Sequence, residues 1–421
     1  MTHRCTPLLA CILACCLLTG CRRDPGEQLL LDFWAMGAEG ENIQPLLPGF
    51  ARRHPEITVR VQTVPWGAAH DLLLTAFAGG SSPDLCQLGN TWIPEFAAIG
   101  AIRPLDPFLA DSTLRPGDYF PGIWETNCIG GRVYGIPWYV DTRLLFYRSD
   151  LLAAAGYPRP PRDWGEWLDL SRRLVQQQPG RYALFLSTIF NDWQVPAILI
   201  LQNGGRLLRE NDCYGAFSEP ATLAALRYYI TFFHDSLAVI NMSEVANIFQ
   251  GFSEGVFSMM VTGPWNVSEM RKRMPGLSGR WSTAPLPAGR NRASVAGGAS
   301  LVLFEKCRHP EAAWKFIRYL SEVETQQAFF SLTRDLPAVR AAWHTPEIEN
   351  DRETGAFYRQ LETAMPTPRI AEWEQVAVKM QEHLEQVIYR RMSLEEAVVK
   401  LDRDVDRILE KRRWLLARDL L

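Results

Sequence analysis

The chain has 421 residues, a formal net charge of −3 and 47% apolar residues. That length implies two or three domains with ample core, and the composition excludes a disordered or collagen-like chain. The slightly acidic balance gives no reason to expect nucleic acid as a partner. Five of the nine cysteines fall within the first 21 residues, and the other four, Cys86, Cys128, Cys213 and Cys307, are too far apart for metal-site spacing. Their pairing is not readable from sequence, and buried free thiols are the plain expectation. No cofactor and no metal are expected.

Residues 1–20 read as a signal peptide. His3 and Arg4 make a short basic start, and Pro7 to Leu18 is apolar apart from thiols. That stretch is too short to span a bilayer as a helix of about 20 residues. Leu18-Thr19-Gly20-Cys21 follows, then polar Arg22, Arg23 and Asp24. This resembles the bacterial lipobox, which implies cleavage before Cys21, lipid on its thiol, and a short lipidated linker over 21–28. An ordinary signal peptide with a chance cysteine, or an N-terminal anchor, is the competing reading. Arg4 is the one formal charge in the first twenty residues, so cleavage takes the net charge from −3 to −4. No later apolar run is long enough for a transmembrane helix.

Beyond the linker, Leu29–Trp34 reads as a buried strand, followed by a loop with Gly37 and Gly40 and a helix to about Arg53. Ile57, Val59 and Val61 alternate with polar residues, as in a half-buried strand. Leu72–Phe77 is helical and ends at Gly79-Gly80. Asp84–Leu88 is a third strand and Trp92–Ile99 a helix. Strands alternating with helices indicate a mostly parallel α/β sheet. A second block starts near Arg132 and includes helices over Asp163–Gln177 and Ala221–Phe233, a strand over Gly255–Met260 and another over Ala299–Phe304. Ser321 and Glu324 have capping-box spacing. In the tail, Trp373, Val376, Ala377, Met380, Leu384, Val387 and Ile388 share one helical face. A last helix, capped by Ser393 and Glu396, carries Leu394, Ala397, Val398, Leu401, Val405, Ile408 and Leu409. Packing of both stripes on the protein's own body is expected, rather than a coil with a partner.

Four motifs in order then resemble one family. Residues 130–152, Gly-Gly-Arg-Val-Tyr-Gly-Ile-Pro-Trp-Tyr-Val-Asp-Thr-Arg-Leu-Leu-Phe-Tyr-Arg-Ser-Asp-Leu-Leu, are the strongest. Phe249–Gly255 running on to Gly263-Pro264-Trp265, then Gly297-Gly298 with Leu301–Phe304 and the helix from Pro310, then Leu336-Pro337-Ala338 complete the set. The chain resembles the extracellular solute-binding proteins of ABC importers, in the carbohydrate-binding family 1. The resemblance implies a two-lobed α/β fold of periplasmic-binding-protein type II with a ligand cleft between the lobes. It implies 29–137 with 283–335 as lobe 1, and 138–282 with 336–421 as lobe 2. It further implies a mono- or oligosaccharide ligand, ABC permease subunits as partners, a monomer, and an extracytoplasmic position at the membrane by the lipid anchor, in the periplasm or on the outer face of the cell. Closure of a hinge on ligand is the physical logic of such a fold.

A sugar needs carboxylates and amides for directional hydrogen bonds and aromatic faces for its C–H patches. Trp34 and Glu39 flank the exit of the first strand, where open α/β sheets place ligands. Trp66 follows the second strand, and Asn90 and Trp92 the third. Asp141 matches an acidic residue of the family's crossing strand, with an ion pair to Arg143 as its competing role. Tyr139 shares its strand face by the two-residue period. Asn191, Asp192 and Trp193 form a polar and aromatic cluster where the family takes second-lobe contacts. Trp265 matches a stacking tryptophan of the family, Gly298 would admit ligand to the backbone, and Trp373 matches a late family tryptophan only approximately. Core packing competes for Trp34, Trp92, Tyr139 and Trp373.

Catalysis is disfavoured. Gly251-Phe252-Ser253-Glu254-Gly255 fits G-x-S-x-G literally, but a nucleophile elbow needs a strand before the serine and a helix after it, and here the order is reversed. A lipid-anchored glycoside hydrolase is the stronger enzyme alternative, since it too would combine tryptophans with paired carboxylates. Against it, the chain shows two blocks with a crossing rather than eight strand–helix units.

Overall fold

The computed structural model describes residues 28–418 except 111, 189–191, 241–244 and 246. The expected signal peptide, Cys21 and Asn191 lie outside the described residues. Ten strands build two sheets: β1 Leu29–Met36, β2 Ile57–Val64, β3 Leu85–Gly89, β4 Ile136–Asp141, β5 Leu144–Arg148, β6 Tyr182–Phe185, β7 Phe257–Thr262, β8 Trp281–Ala284, β9 Gly297–Leu303 and β10 Leu336–Pro337. The first sheet has the order β10-β4-β9-β3-β1-β2 and the second β8-β5-β7-β6. The first mixes parallel pairs, β1 with β2 and β3, with antiparallel ones at β9, β4 and β10. Seven helices matter for the site: α1 Gly37–Asn42, α2 Trp66–Ala78, α3 Gln194–Gln202, α4 Trp265–Arg273, α5 Val323–Thr333, α6 Trp373–Ile388 and α7 Leu394–Ile408.

Alternation along β1 sends Leu31, Phe33 and Ala35 into one core, with Phe33 meeting Trp138 and Phe316 edge-on. Trp34 points to the other face, where it packs half-buried with the cluster around Met36, Leu73 and Leu88. All five residues of β3 are buried, as a central strand covered on both faces should be. The segment expected as one helix up to Arg53 is broken into α1, a short 3-10 turn over Gln44–Leu46 and a helix over Leu47–Arg53. Pro45 and Pro48 each sit in a first turn, where the missing N–H costs nothing. The expected glycine loop over Gly37–Gly40 is itself helical.

The second lobe's core gathers Trp167, Phe232, Trp373, Met380, Leu401 and Val405. Both tail stripes pack there as the periodicity implied, and Ser393 accepts the backbone N–H of Glu396 at 3.2 Å. Ser321 makes no such cap. Its hydroxyl donates back to the Ile317 carbonyl at 2.9 Å, and Glu322 takes the N-cap position of α5.

Three segments pass between the two sheets, and the first and last stay paired with the first sheet longer than expected. β4 remains in register with β9 through Asp141, opposite Gly297, and β10 pairs Leu336 with Val140 and Pro337 with Tyr139. The first crossing is therefore the short link Thr142-Arg143, not the 137/138 boundary. The return link leaves the second sheet only after Ala284, not at 282/283, and the last crossing lies beyond Pro337, not at 335/336. The buried Gln326 of α5 ties the first and last together: its amide donates to the Trp138 carbonyl at 2.7 Å and accepts from the Ala338 N–H at 2.8 Å. Cys86, Cys128, Cys213 and Cys307 are free thiols, all buried except the half-buried Cys128. No helix among the described residues is long and apolar enough to cross a membrane.

Candidate functional site

A cavity of about 690 Å³ opens between the lobes. The first lobe lines it with α1, the segment after β3, the end of β4 and the start of β9. The second contributes Trp193, Gln194, and Pro264-Trp265 with the first turn of α4; Glu374 of α6 closes one side. Of the expected contacts, Glu39, Trp66, Asn90, Trp92, Tyr139, Asp141, Trp193, Trp265 and Gly298 line it together.

Glu39 lies in the first turn of α1 and is 7% exposed. The Trp66 indole N–H donates to it at 3.4 Å and the Gln87 amide at 3.5 Å. The same Gln87 amide donates to the Tyr139 hydroxyl at 3.1 Å, while its oxygen accepts from the Met36 N–H at 2.7 Å. Gln87 thus locks strand exit, carboxylate and phenol in one network, the kind that fixes geometry when fully satisfied. Burial, followed by the nearby carboxylates of Glu39 and Asp335, holds the Tyr139 phenol well above its ordinary range. Trp66 and Trp92 meet edge to face with centroids 5.8 Å apart. Asn90 spends its side-chain amide on the Ala296 carbonyl at 2.8 Å, which holds the strand-exit turn against β9.

Asp141 receives Arg143 at 3.0 Å. Burial raises its carboxyl and Arg143 offsets part of that rise. A Cβ on Gly297 would stand 2.2 Å from the Asp141 carboxylate, and one on Gly298 2.3 Å from the Tyr139 carbonyl. Gly298 also has φ +114°, open to glycine and strained for other residues. The glycine pair therefore lets β9 lie close under the acidic end of β4. Trp265 is 47% exposed, and the Arg143 guanidinium lies 4.8 Å from its ring centroid.

Four further groups complete the lining. Asp335 stands just before β10, and burial, reinforced by Glu39, pushes its carboxyl up to about 8. Burial also raises Glu374, against a hydrogen bond with Thr91 and the charge of His70. His70 in turn is raised by its 2.7 Å contact with Glu95. The Thr91–Glu374 bond joins the lobes across the cavity. Ser268 and Glu269 of α4 finish the second-lobe wall.

Three expected contacts lie elsewhere. Trp34 is one residue pair short of the strand exit and faces the α2 side. Trp373 is 1% exposed, and its ring supports Trp193 edge-on at 5.1 Å. Asp192 adds its charge to the burial that raises the Tyr229 phenol and is absent from the cavity lining. Sequence reasoning did not single out Gln87, Asp335 or Glu374. Asp335 precedes the return crossing Leu336-Pro337, and the strand-end rule applied there would have found it. Glu374 directly follows Trp373 and faces the cavity that its neighbour supports.

The same architecture recurs in known proteins. The pattern of the bacterial extracellular solute-binding protein family matches residues 35–327. The structure of the sugar-binding protein MalE from Xanthomonas citri is 42% identical, covers 92% of this chain and 99% of its own, and superposes with a TM-score of 0.88. The GacH receptor of Streptomyces glaucescens, solved unliganded and with acarbose, is 25% identical over 91% of this chain and 99% of its own, with a TM-score of 0.78. The maltodextrin-binding protein MdxE of Bacillus subtilis is 27% identical and shares 70% of each chain. The fold is accordingly the two-lobed type II α/β arrangement expected from the motifs. A cleft between two α/β lobes, a family pattern spanning most of the chain and relatives of matching length lead to one assignment: the chain belongs to the bacterial extracellular solute-binding protein family.

Proposed function

We propose that the protein binds a mono- or oligosaccharide in this cleft and hands it to ABC permease subunits, while lipid on Cys21 holds it at the membrane outside the cytoplasm. The observation that carries the reading is the cavity lining itself. Carboxylates from Glu39, Asp141 and Asp335 face tryptophans from both lobes, Trp66 and Trp92 on one side and Trp193 and Trp265 on the other. That combination suits a ligand with hydroxyls around its edge and C–H patches on its faces. The sugar-binding relatives named above support the same class of ligand. The glycine pair of β9 and the exposed ring of Trp265 would set the ligand's depth and plane.

A lipid tether would raise the protein's effective concentration at its permease, and the two or three chains of a lipoprotein cysteine would anchor it stably where one chain would not. The test is a thermal-shift screen of the mature chain against neutral mono- and oligosaccharides, maltose and maltotriose among them, followed by recovery of the sugar. A raised midpoint with intact sugar is expected. Released reducing ends would favour the glycoside hydrolase instead, and no shift with any sugar would overturn the reading. Cys21→Ser should abolish acyl labelling and free the protein from the membrane fraction; persistence there would overturn the anchor.

A further inference from the structure

Three carboxylates share one wall of the cleft, and they are not equivalently served. Glu39, on α1, receives N–H donors from Trp66 and Gln87. Asp141, on β4, receives the Arg143 guanidinium. Asp335, between α5 and β10, has only a weaker partner: the Thr333 hydroxyl reaches its carboxyl and offsets part of the rise that burial and Glu39 impose, while among the described residues no cation and no backbone N–H does so. Its own N–H donates to the Thr333 hydroxyl at 3.1 Å, and that hydroxyl donates in turn to the Phe329 carbonyl at 2.9 Å. The adjacent Arg334 is turned away, paired with Glu347 and lying over the Phe330 ring. Across the cavity, Glu269 of α4 pairs with Arg273 at 2.6 Å and Glu374 of α6 with Thr91. The nearest titratable neighbours of Asp335 are thus Glu39, Asp141 and the Tyr139 phenol.

Neighbouring carboxylates in a poorly solvated wall cannot all ionise freely, and the one without a cation or amide keeps its proton. An ionised carboxylate only accepts hydrogen bonds, whereas a protonated one also donates. We propose that Asp335 is a specificity-determining residue of the sugar site: its carboxylic acid donates a hydrogen bond to an ether oxygen of the ligand, in a ring or a glycosidic link, which has no proton to offer the other two acids. The proposal rests on the sugar reading above.

Binding should then favour the protonated acid and draw a proton from solution wherever free Asp335 is ionised. The experiment is calorimetric titration of the mature chain from pH 6.5 to 9.5 with whichever panel sugar gives the largest thermal shift. It is run in two buffers of different ionisation enthalpy. The wild type should hold a constant Kd at the acidic end and lose up to about tenfold in affinity per pH unit above about 8, with net proton uptake approaching one. In D335N, whose amide donates at every pH, the Kd should not change across the range and proton uptake should vanish. Wild-type binding without proton uptake, or a pH slope that survives in D335N, overturns the role of Asp335 while leaving sugar binding intact. If D335N does not fold, the wild-type proton count decides alone. No binding at pH 6.5 overturns the sugar reading and this one with it.

Discussion

The guanidinium of Arg143 lies between two cavity groups, 3.0 Å from the Asp141 carboxylate and 4.8 Å from the centre of the Trp265 ring. Asp141 ends a strand of the first sheet and Trp265 starts a helix of the second lobe, so one cation bridges the two. An exposed ring held flat by a cation is a ready-made stacking face. Trp265→Ala should weaken sugar binding by roughly two- to twelvefold, the worth of one aromatic contact of about 0.5–1.5 kcal/mol. The thermal midpoint of the free protein should barely move, because half the ring is in solvent. Calorimetry and a melting curve on the same preparation check both halves.

Gly298→Ala acts on the frame. The added methyl meets the Tyr139 carbonyl and the Val140 Cα, both backbone, and φ +114° is a region L-residues avoid. A loss of at least about 1–3 kcal/mol is expected from the backbone strain alone. The urea midpoint should fall at all pH values, and binding should fall with it because β9 can no longer lie under Asp141.

The raised carboxyl of Asp335 makes a statement about stability without ligand. In the unfolded chain this acid ionises near its ordinary value of 3.8, in the folded protein only near 8. Between those limits the folded state binds the extra proton. Its contribution is complete below about pH 4 and is lost as pH rises through about 8. Asp335→Asn carries no such proton. The melting midpoint of the wild type should therefore decline relative to D335N from pH 6 to pH 9; parallel curves would contradict the assignment.

Arg148 offers the opposite sign at the base of the second lobe. Its side chain is 5% exposed, grips Asp150 through two bonds of 2.8 Å, and donates to the Phe252 and Ser253 carbonyls. With Arg280 on the same acid, Asp150 is pulled down to about 2 despite the opposing effect of burial. Arg148→Ala should cost about 1–3 kcal/mol, because the Phe252 and Ser253 carbonyls lose their donor while Asp150 keeps Arg280. In the wild type the carboxylate's contribution is present above about pH 4 and is lost as pH falls towards 2. Asp150→Asn should lack that acid step in a pH series of urea midpoints.

Much of the architecture was legible because it follows from pattern. A short apolar run marked β1, alternation marked β2, the apolar stripes marked α6 and α7, and Ser393 capped where its spacing said it would. The misreadings share a cause. Pro45 and Pro48 restart helices instead of merely ending them, and Ser321 found a carbonyl one turn back before it could serve α5. In the site, residues just beyond strand ends were identifiable, since that is where open sheets expose side chains. Trp34 and Trp373 were not separable from them, because an indole in a core and an indole in a cleft look alike in one dimension. Asp335 and Glu374 went unmarked for a different reason: each gains its meaning from groups more than 190 residues away in the chain, which only the folded cavity brings near.

The link between the two sheets has one more consequence. Asp141 is still paired with Gly297 of the first sheet, and Leu144 is already paired with Thr262 of the second. Thr142 is pinned by its bonds to Ser294 and the Val295 carbonyl. On this side of the molecule, any rotation of one lobe against the other is confined to a few torsions around Arg143. The residue that holds the site's acid and ring together also sits on the axle. A substitution at Arg143 therefore touches the contacts with Asp141 and Trp265 and the link between the sheets at once.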